Sequence, residues 1–332
     1  MNVISNVLLL ILSSTVAVTL TASASQAATK SSGKTEKLEK VRIALNWKPE
    51  PQFGGFYATQ FAGIDKKHGF EFDVVAGGAG TPVIQMISSK QFDFGLASAD
   101  EVVVSRARGT DVVALFAVFQ TNPQGVMTHA ERGFDSLADV FRNAGTIAMQ
   151  KGLPYAIFLQ RKYSSGMKAS IVPYLGGISN FVSRADHSQQ CFVMSEPLLA
   201  RKQGAKTKTF LVAESGFNPY MAVLVTRRSL VEERPEFVKA VVAAVRAGWR
   251  RYLDQPDDIN VKMRDLNRSF DTAALKEVAE AQKSLIETEV GVSNPQPLGT
   301  MTEKRWAELS EQLQSMKVID QKPGPESLFI KF

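Results

Sequence analysis

From Val41 onward the chain alternates strand-like runs with helix-like ones, and that alternation constrains the fold more than any other feature. Val41–Leu45, Phe70–Val75, Phe92–Leu96 and Val112–Phe119 read as strands, with helical stretches at Phe56–Ile64, Val83–Ser89 and Glu101–Arg108 between them. The pattern restarts after Gly133. Strands are expected at Thr146–Met149, Ser170–Tyr174, Cys191–Met194 and Thr209–Val212, with helices at Leu137–Phe141, Pro154–Tyr163, Ile178–Ser183 and Pro197–Gln203. Tyr220–Thr226 reads as a return strand. Such alternation requires mostly parallel sheets flanked by helices. Two runs with a later return strand predict an α/β protein of two lobes. Pro235–Leu253 is the strongest helix, since Val238, Val241, Val242, Val245, Trp249 and Tyr252 share one face at the 3.6-residue period.

With 39 Lys+Arg against 33 Asp+Glu the chain carries a formal charge of +6. Its basic residues are scattered, and the pairs Arg227-Arg228 and Arg250-Arg251 fall where solvated helix faces are expected, so no nucleic-acid partner is predicted. The single cysteine, Cys191, excludes an intramolecular disulfide, an iron–sulfur cluster and a cysteine-based zinc site. Flanked by Phe192 and Val193, it reads as a small buried hydrophobe. The three histidines, His68, His129 and His187, lie far apart in sequence, so no metal and no cofactor is implied.

The first residues read as an export signal. Val7 to Leu20 is apolar apart from Ser and Thr, shorter than the ~20 residues that a membrane span needs, and no later segment is long and apolar enough. Ala22-Ser23-Ala24 and Ser25-Gln26-Ala27 fit the small-residue cleavage pattern, although no Lys or Arg precedes the apolar run. Residues 1–27 are therefore expected to be a signal peptide removed near Ala27, and 28–40 a polar tether.

In open α/β sheets ligands bind at the carboxyl ends of strands. The loops so placed are Asn46–Gly55, Gly77–Thr81, Ala97–Asp100, Gln150–Tyr155, Tyr174–Ser179 and Ser195-Glu196-Pro197. They contain no Gly-x-Ser-x-Gly, Walker A, His-Glu-x-x-His or Gly-x-Gly-x-x-Gly motif. Gly78 belongs to a glycine loop that is either a flexible connection or a backbone cradle for a polar ligand, and Thr81 is expected to cap the helix after it. Trp47 is either core or a stacking plate. Asp100 is either a helix-start acid or a site residue. Glu196, at a strand end beside a helix start, suits hydrogen bonding to an aromatic amine.

Val41–Ala62 (VRIALNWKPEPQFGGFYATQFA), Gly77–Phe94, Ser105–Gly109, Phe119–His129, Ser195-Glu196-Pro197 and Asn218-Pro219-Tyr220 resemble the periplasmic binding proteins for thiamine pyrimidine precursors. The resemblance implies the two-lobed periplasmic binding protein fold of type II, with 41–128 plus 221–332 as lobe 1 and 129–220 as lobe 2. Crossings would lie between Met127 and Gly133 and around Gly216–Tyr220. It further implies a monomeric receptor in the periplasm that delivers a small-molecule ligand, an aminopyrimidine, to an ABC permease. Asn46, Trp47, Phe53 and Tyr57 would line one side of the pocket, with Tyr155 opposite and Glu196 on the aminopyrimidine edge. Phe53 stands where the family commonly has His. Gly78, Thr81 and Asp100 complete the candidate set. Receptors for sulfonates, taurine and riboflavin-like ligands are the alternatives, as is the related fungal pyrimidine synthase. Against that enzyme, Ala97 and Glu101 stand where its Lys and His would be, and Glu214–Met221 has no cysteine. The resemblance thus implies binding without catalysis.

Overall fold

In a computed structural model, which describes residues 38–287 and 297–332, two five-stranded sheets are flanked by helices. The expected signal peptide and most of the tether lie outside the described residues. Glu39 and Lys40, assigned to the tether by composition, already belong to β1 (Glu39–Ala44).

The first sheet runs β2 (Phe70–Val75), β1, β3 (Phe94–Ala97), β10 (Met221–Thr226), β4 (Val113–Phe119). β1 is parallel to both neighbours, whereas β10 is antiparallel to β3 and β4. All seven residues of β4 are buried, as its unbroken apolar run requires. The second sheet runs β7 (Ser170–Pro173), β6 (Thr146–Met149), β8 (His187–Phe192), β5 (Gln124–His129), β9 (Thr207–Leu211). Here β5 is antiparallel to β8 and β9. Both sheets are therefore mixed, each taking in one strand that runs against its parallel set.

β5 corrects the expected crossing at Met127–Gly133. Those residues begin inside a strand that pairs wholly within the second sheet, so the chain changes sheets at 120–123. The expected border at 128/129 consequently cuts β5 near its end. The return passage lies at 212–220, between β9 and β10. The two crossings are tied side by side: Asn122 N–H donates to Asn218 Oδ1 at 2.8 Å, and Asn122 Nδ2 donates to the Pro219 carbonyl at 3.0 Å.

β8 also lies upstream of the expected Cys191–Met194. Its polar residues hid it, because each is satisfied inside the fold rather than by water. Ser188 Oγ donates to Thr128 Oγ1 at 3.0 Å, and Gln189 Nε2 donates to the Gly177 carbonyl at 2.9 Å.

The helix Pro235–Asp254 buries the predicted stripe against the first sheet and the helix Gly54–Phe61. The contact is glycine-mediated. A Cβ on Gly248 would lie 1.9 Å from Thr59 Oγ1 and 2.4 Å from the Gly55 carbonyl oxygen. Arg227, expected on a solvated face, is buried instead, and its Nη1 donates to the carbonyls of Ile87 and Phe92, both at 3.0 Å. Among the described residues no helix is long and apolar enough to cross a membrane.

Candidate functional site

The loop after β1 and the helix Glu196–Lys202, which follows β8, bring two carboxyl groups toward each other from the two sheets. On the first side, Trp47 is half-buried and its Nε1 donates to Glu50 Oε1 at 3.2 Å. Burial, and then the neighbouring Glu196 carboxylate, push the Glu50 carboxyl up to about 7, against hydrogen bonds from Trp47 and Gln52 and the charge of Lys48. On the second side, Glu196 Oε2 accepts the Phe192 N–H at 2.8 Å. Burial holds its carboxyl above the ordinary range, opposed by the backbone N–H groups of Glu196 and Phe192.

Two tyrosines of the second sheet complete this group. Tyr174, at the carboxyl end of β7, is half-buried and its hydroxyl is raised by burial, then by Glu196 and Cys191 and less by Glu50. Tyr155 opens the helix Pro154–Lys162 and is 8% exposed. Its hydroxyl donates to Gln190 Oε1, which also accepts the Gln150 N–H at 2.6 Å. Gln190 Nε2 returns a bond to Gln150 Oε1 at 3.0 Å, fixing the amide that orients Tyr155. Cys191 is buried at 2% exposure, as expected, and its thiol is pushed well up by burial and by Glu196. That environment opposes thiolate formation.

Of the residues anticipated from sequence, Trp47, Tyr155 and Glu196 belong to this group, and Asn46 lies half-buried beside Trp47. Phe53 and Tyr57 are buried at 2% and 1% exposure in the apolar cluster against which Trp47 packs, Tyr57 stacked on Phe61 with centroids 5.5 Å apart.

Thr81 does not cap the helix Val83–Ser88, whose N-terminal flanking residue is Pro82. Instead Thr81 Oγ1 accepts the Gly78 N–H at 2.8 Å, so the proposed backbone donor is already used within the loop. Gly77 is the glycine that the loop needs, because a Cβ there would lie 2.1 Å from the Leu45 carbonyl oxygen. Asp100 is not the cap of its helix either. Ser98 and Glu101 form a reciprocal capping box on Ala99–Ala107, which leaves Asp100 half-buried, with its carboxyl pushed up to about 6 by burial and Glu101.

Sequence reasoning missed Glu50, Tyr174 and Gln190. The first two lay in loops already singled out, but their convergence is tertiary and has no spacing signature. Two surface hollows, of about 480 Å³ beside Arg264 and Phe270 and about 190 Å³ beside Asn218 and Arg305, lie elsewhere. They gather no comparable set of aromatic and acidic side chains, and a small-molecule site needs such convergence. Among the described residues no cluster of three or more His, Cys, Asp or Glu could hold a metal.

The raised Glu50 carboxyl makes stability depend on pH. Its ordinary value is 4.5 and its folded value about 7, so between these the folded chain holds a proton that the unfolded chain has lost. The stabilisation is present in full below about 4.5 and declines as pH rises toward 7. The melting temperature of the wild type minus that of Glu50→Gln is expected to fall across this window and level off above it. A difference that grows with pH would place Glu50 in a stabilising ion pair instead.

The two mixed sheets joined by paired crossings give the periplasmic binding protein fold. The aliphatic sulphonate binding protein SsuA of Escherichia coli superposes with TM-score 0.66 at 11% identity, over 87% of this chain and 91% of that one. The desulfurization enzyme DSZB shares the fold too, with TM-score 0.57 at 14% identity over 87% and 96%. Residues 50–259 match the NMT1/THI5-like family, and the chain belongs to it. A formylaminopyrimidine-binding protein of Halalkalibacterium halodurans is 24% identical over 304 residues, 89% of this chain and 90% of the relative. The riboflavin-binding protein RibY of Chloroflexus aurantiacus is 23% identical over 233 residues, 67% of this chain and 64% of the relative.

Proposed function

We propose that the chain is a monomeric extracytoplasmic solute receptor of an ABC importer, in which each sheet with its helices acts as one lobe. It binds a thiamine-precursor aminopyrimidine between the lobes and delivers it, unchanged, to the permease. The observation that carries this reading is the convergence of Glu196 with Trp47, Tyr155 and Tyr174 at strand ends of two different sheets. Aromatic faces take a flat ring, and a carboxyl group takes its edge, one oxygen accepting from the amine and the other sharing a proton with the ring nitrogen. The formylaminopyrimidine-binding relative supports the same ligand class.

The electrostatics favour this over a sulfonate. An anion placed between Glu50 and Glu196 would meet two carboxyl groups, with exposed Lys48 as the nearby compensating charge. The buried, unactivated Cys191 thiol likewise speaks against a cysteine nucleophile at this position.

The purified chain without its first 27 residues is expected to be stabilised by a formyl-aminomethylpyrimidine or hydroxymethylpyrimidine and to return it chemically unaltered. Ligand at 100 times its dissociation constant adds about 2.7 kcal/mol, several degrees in a thermal melt. A melt that responds to an alkanesulfonate or to riboflavin, and to neither pyrimidine, would reject the aminopyrimidine assignment. Chromatography of the recovered ligand tests the absence of turnover.

A further inference from the structure

Glu50 has no role in a receptor for a neutral aminopyrimidine, because Glu196 already serves the amine edge. Yet Glu50 is built into the site. Trp47 Nε1 donates to its Oε1 at 3.2 Å, and the Gln52 amide group lies beside the same carboxyl. Gln52 is itself only 5% exposed, and its Oε1 is buried without a hydrogen-bond partner among the described residues. A buried acceptor left unpaired is costly and calls for a donor. Two carboxyl groups and this carbonyl oxygen thus meet from both lobes. The cation acting on Glu50 is Lys48, which is exposed to solvent. Such a set of acceptors is satisfied by a ligand that carries both positive charge and several N–H groups.

We propose that Glu50 is the specificity-determining residue of this receptor, selecting aminopyrimidines that carry a cationic arm. The inference rests on the aminopyrimidine reading above and adds the ligand's charge to it. Glu196 holds the amine edge from one lobe, while Glu50 and Gln52 receive a side-chain ammonium from the other. A primary ammonium has three donors, which matches the Glu50 carboxylate together with Gln52 Oε1. An N-formyl or hydroxymethyl arm brings fewer donors and no charge, and leaves the two carboxyl groups uncompensated.

Calorimetric titration at one pH with three probes tests this: 4-amino-5-aminomethyl-2-methylpyrimidine, its N-formyl derivative and the 5-hydroxymethyl analogue. The wild type should bind the aminomethyl compound about tenfold or more tightly than the other two, the size of one charge-assisted hydrogen bond. Glu50→Gln keeps the shape and removes the charge. It should abolish that preference, weakening the aminomethyl compound about tenfold relative to the two neutral-armed probes. Equal or tighter wild-type binding of the neutral-armed probes would overturn the role of Glu50 and leave the aminopyrimidine reading standing, as would a preference that survives Glu50→Gln. Failure of all three probes to bind would overturn both. A single cooperative unfolding transition of Glu50→Gln, at whatever midpoint, assigns any lost preference to the site rather than to the fold.

Discussion

Glu196→Ala is expected to weaken pyrimidine binding by about ten- to a hundredfold, the largest effect of any single change in the site. An aminopyrimidine presents an exocyclic amine and a ring nitrogen side by side, and a carboxyl group bonds both at once. Truncation leaves that edge buried and unpaired. Glu196 also has a local duty, since its Oε2 accepts the Phe192 N–H at 2.8 Å where β8 turns into the next helix. Losing that bond costs roughly 1 kcal/mol of stability. The two roles separate cleanly in one variant by calorimetric titration beside a thermal melt. Unchanged affinity with a lowered melting temperature would remove Glu196 from the site and confine it to the turn.

The largest effect on stability is expected from Gly248→Ala. A methyl group there meets Thr59 Oγ1 at 1.9 Å and the Gly55 carbonyl oxygen at 2.4 Å. Thr59 Oγ1 is itself held, donating to the Gly55 carbonyl at 2.8 Å and lying 3.3 Å from that of Ala244. Because one obstacle is backbone, no side-chain rotation relieves the contact, and the helices Gly54–Phe61 and Pro235–Asp254 must separate. Overpacking of this kind costs about 3 kcal/mol, roughly 4–5 °C in a chain of this length. Adding Thr59→Ala should restore only part of the loss. A melting temperature equal to the wild type's would show that these helices do not approach as closely as described.

The sequence carried the architecture further than it carried the site. Strand–helix alternation located most strands within a few residues, because apolar runs such as Val113–Phe119 must be buried on both faces. It failed at β5 and β8, where Gln124, Thr128, Ser188, Gln189 and Gln190 are buried by pairing with one another or with backbone. Polar residues buried in this way leave no hydrophobic period to read. In the site, position at a strand end was enough to find Trp47 and Glu196. It could not separate Tyr57, which is buried and stacked on Phe61, from Tyr174, which stays half-buried beside the carboxyl groups. The charge of Glu50 carried no signal alone, since its effect comes from a partner 146 positions away (196 − 50) on another sheet.

The order of strands has a consequence for how the chain acquires its structure. Every strand of the second sheet lies between Gln124 and Leu211, so that sheet has all its partners as soon as this stretch is available. The first sheet is interrupted: β3 and β4 are separated by β10, which begins only at Met221. Until that late strand arrives, the facing edges of β3 and β4 remain unpaired, and closing such distant pairings is slow. A chain synthesised from its amino end therefore completes its second sheet first. The edges of β3 and β4 that await β10 are meanwhile open to capture by another strand or by a chaperone.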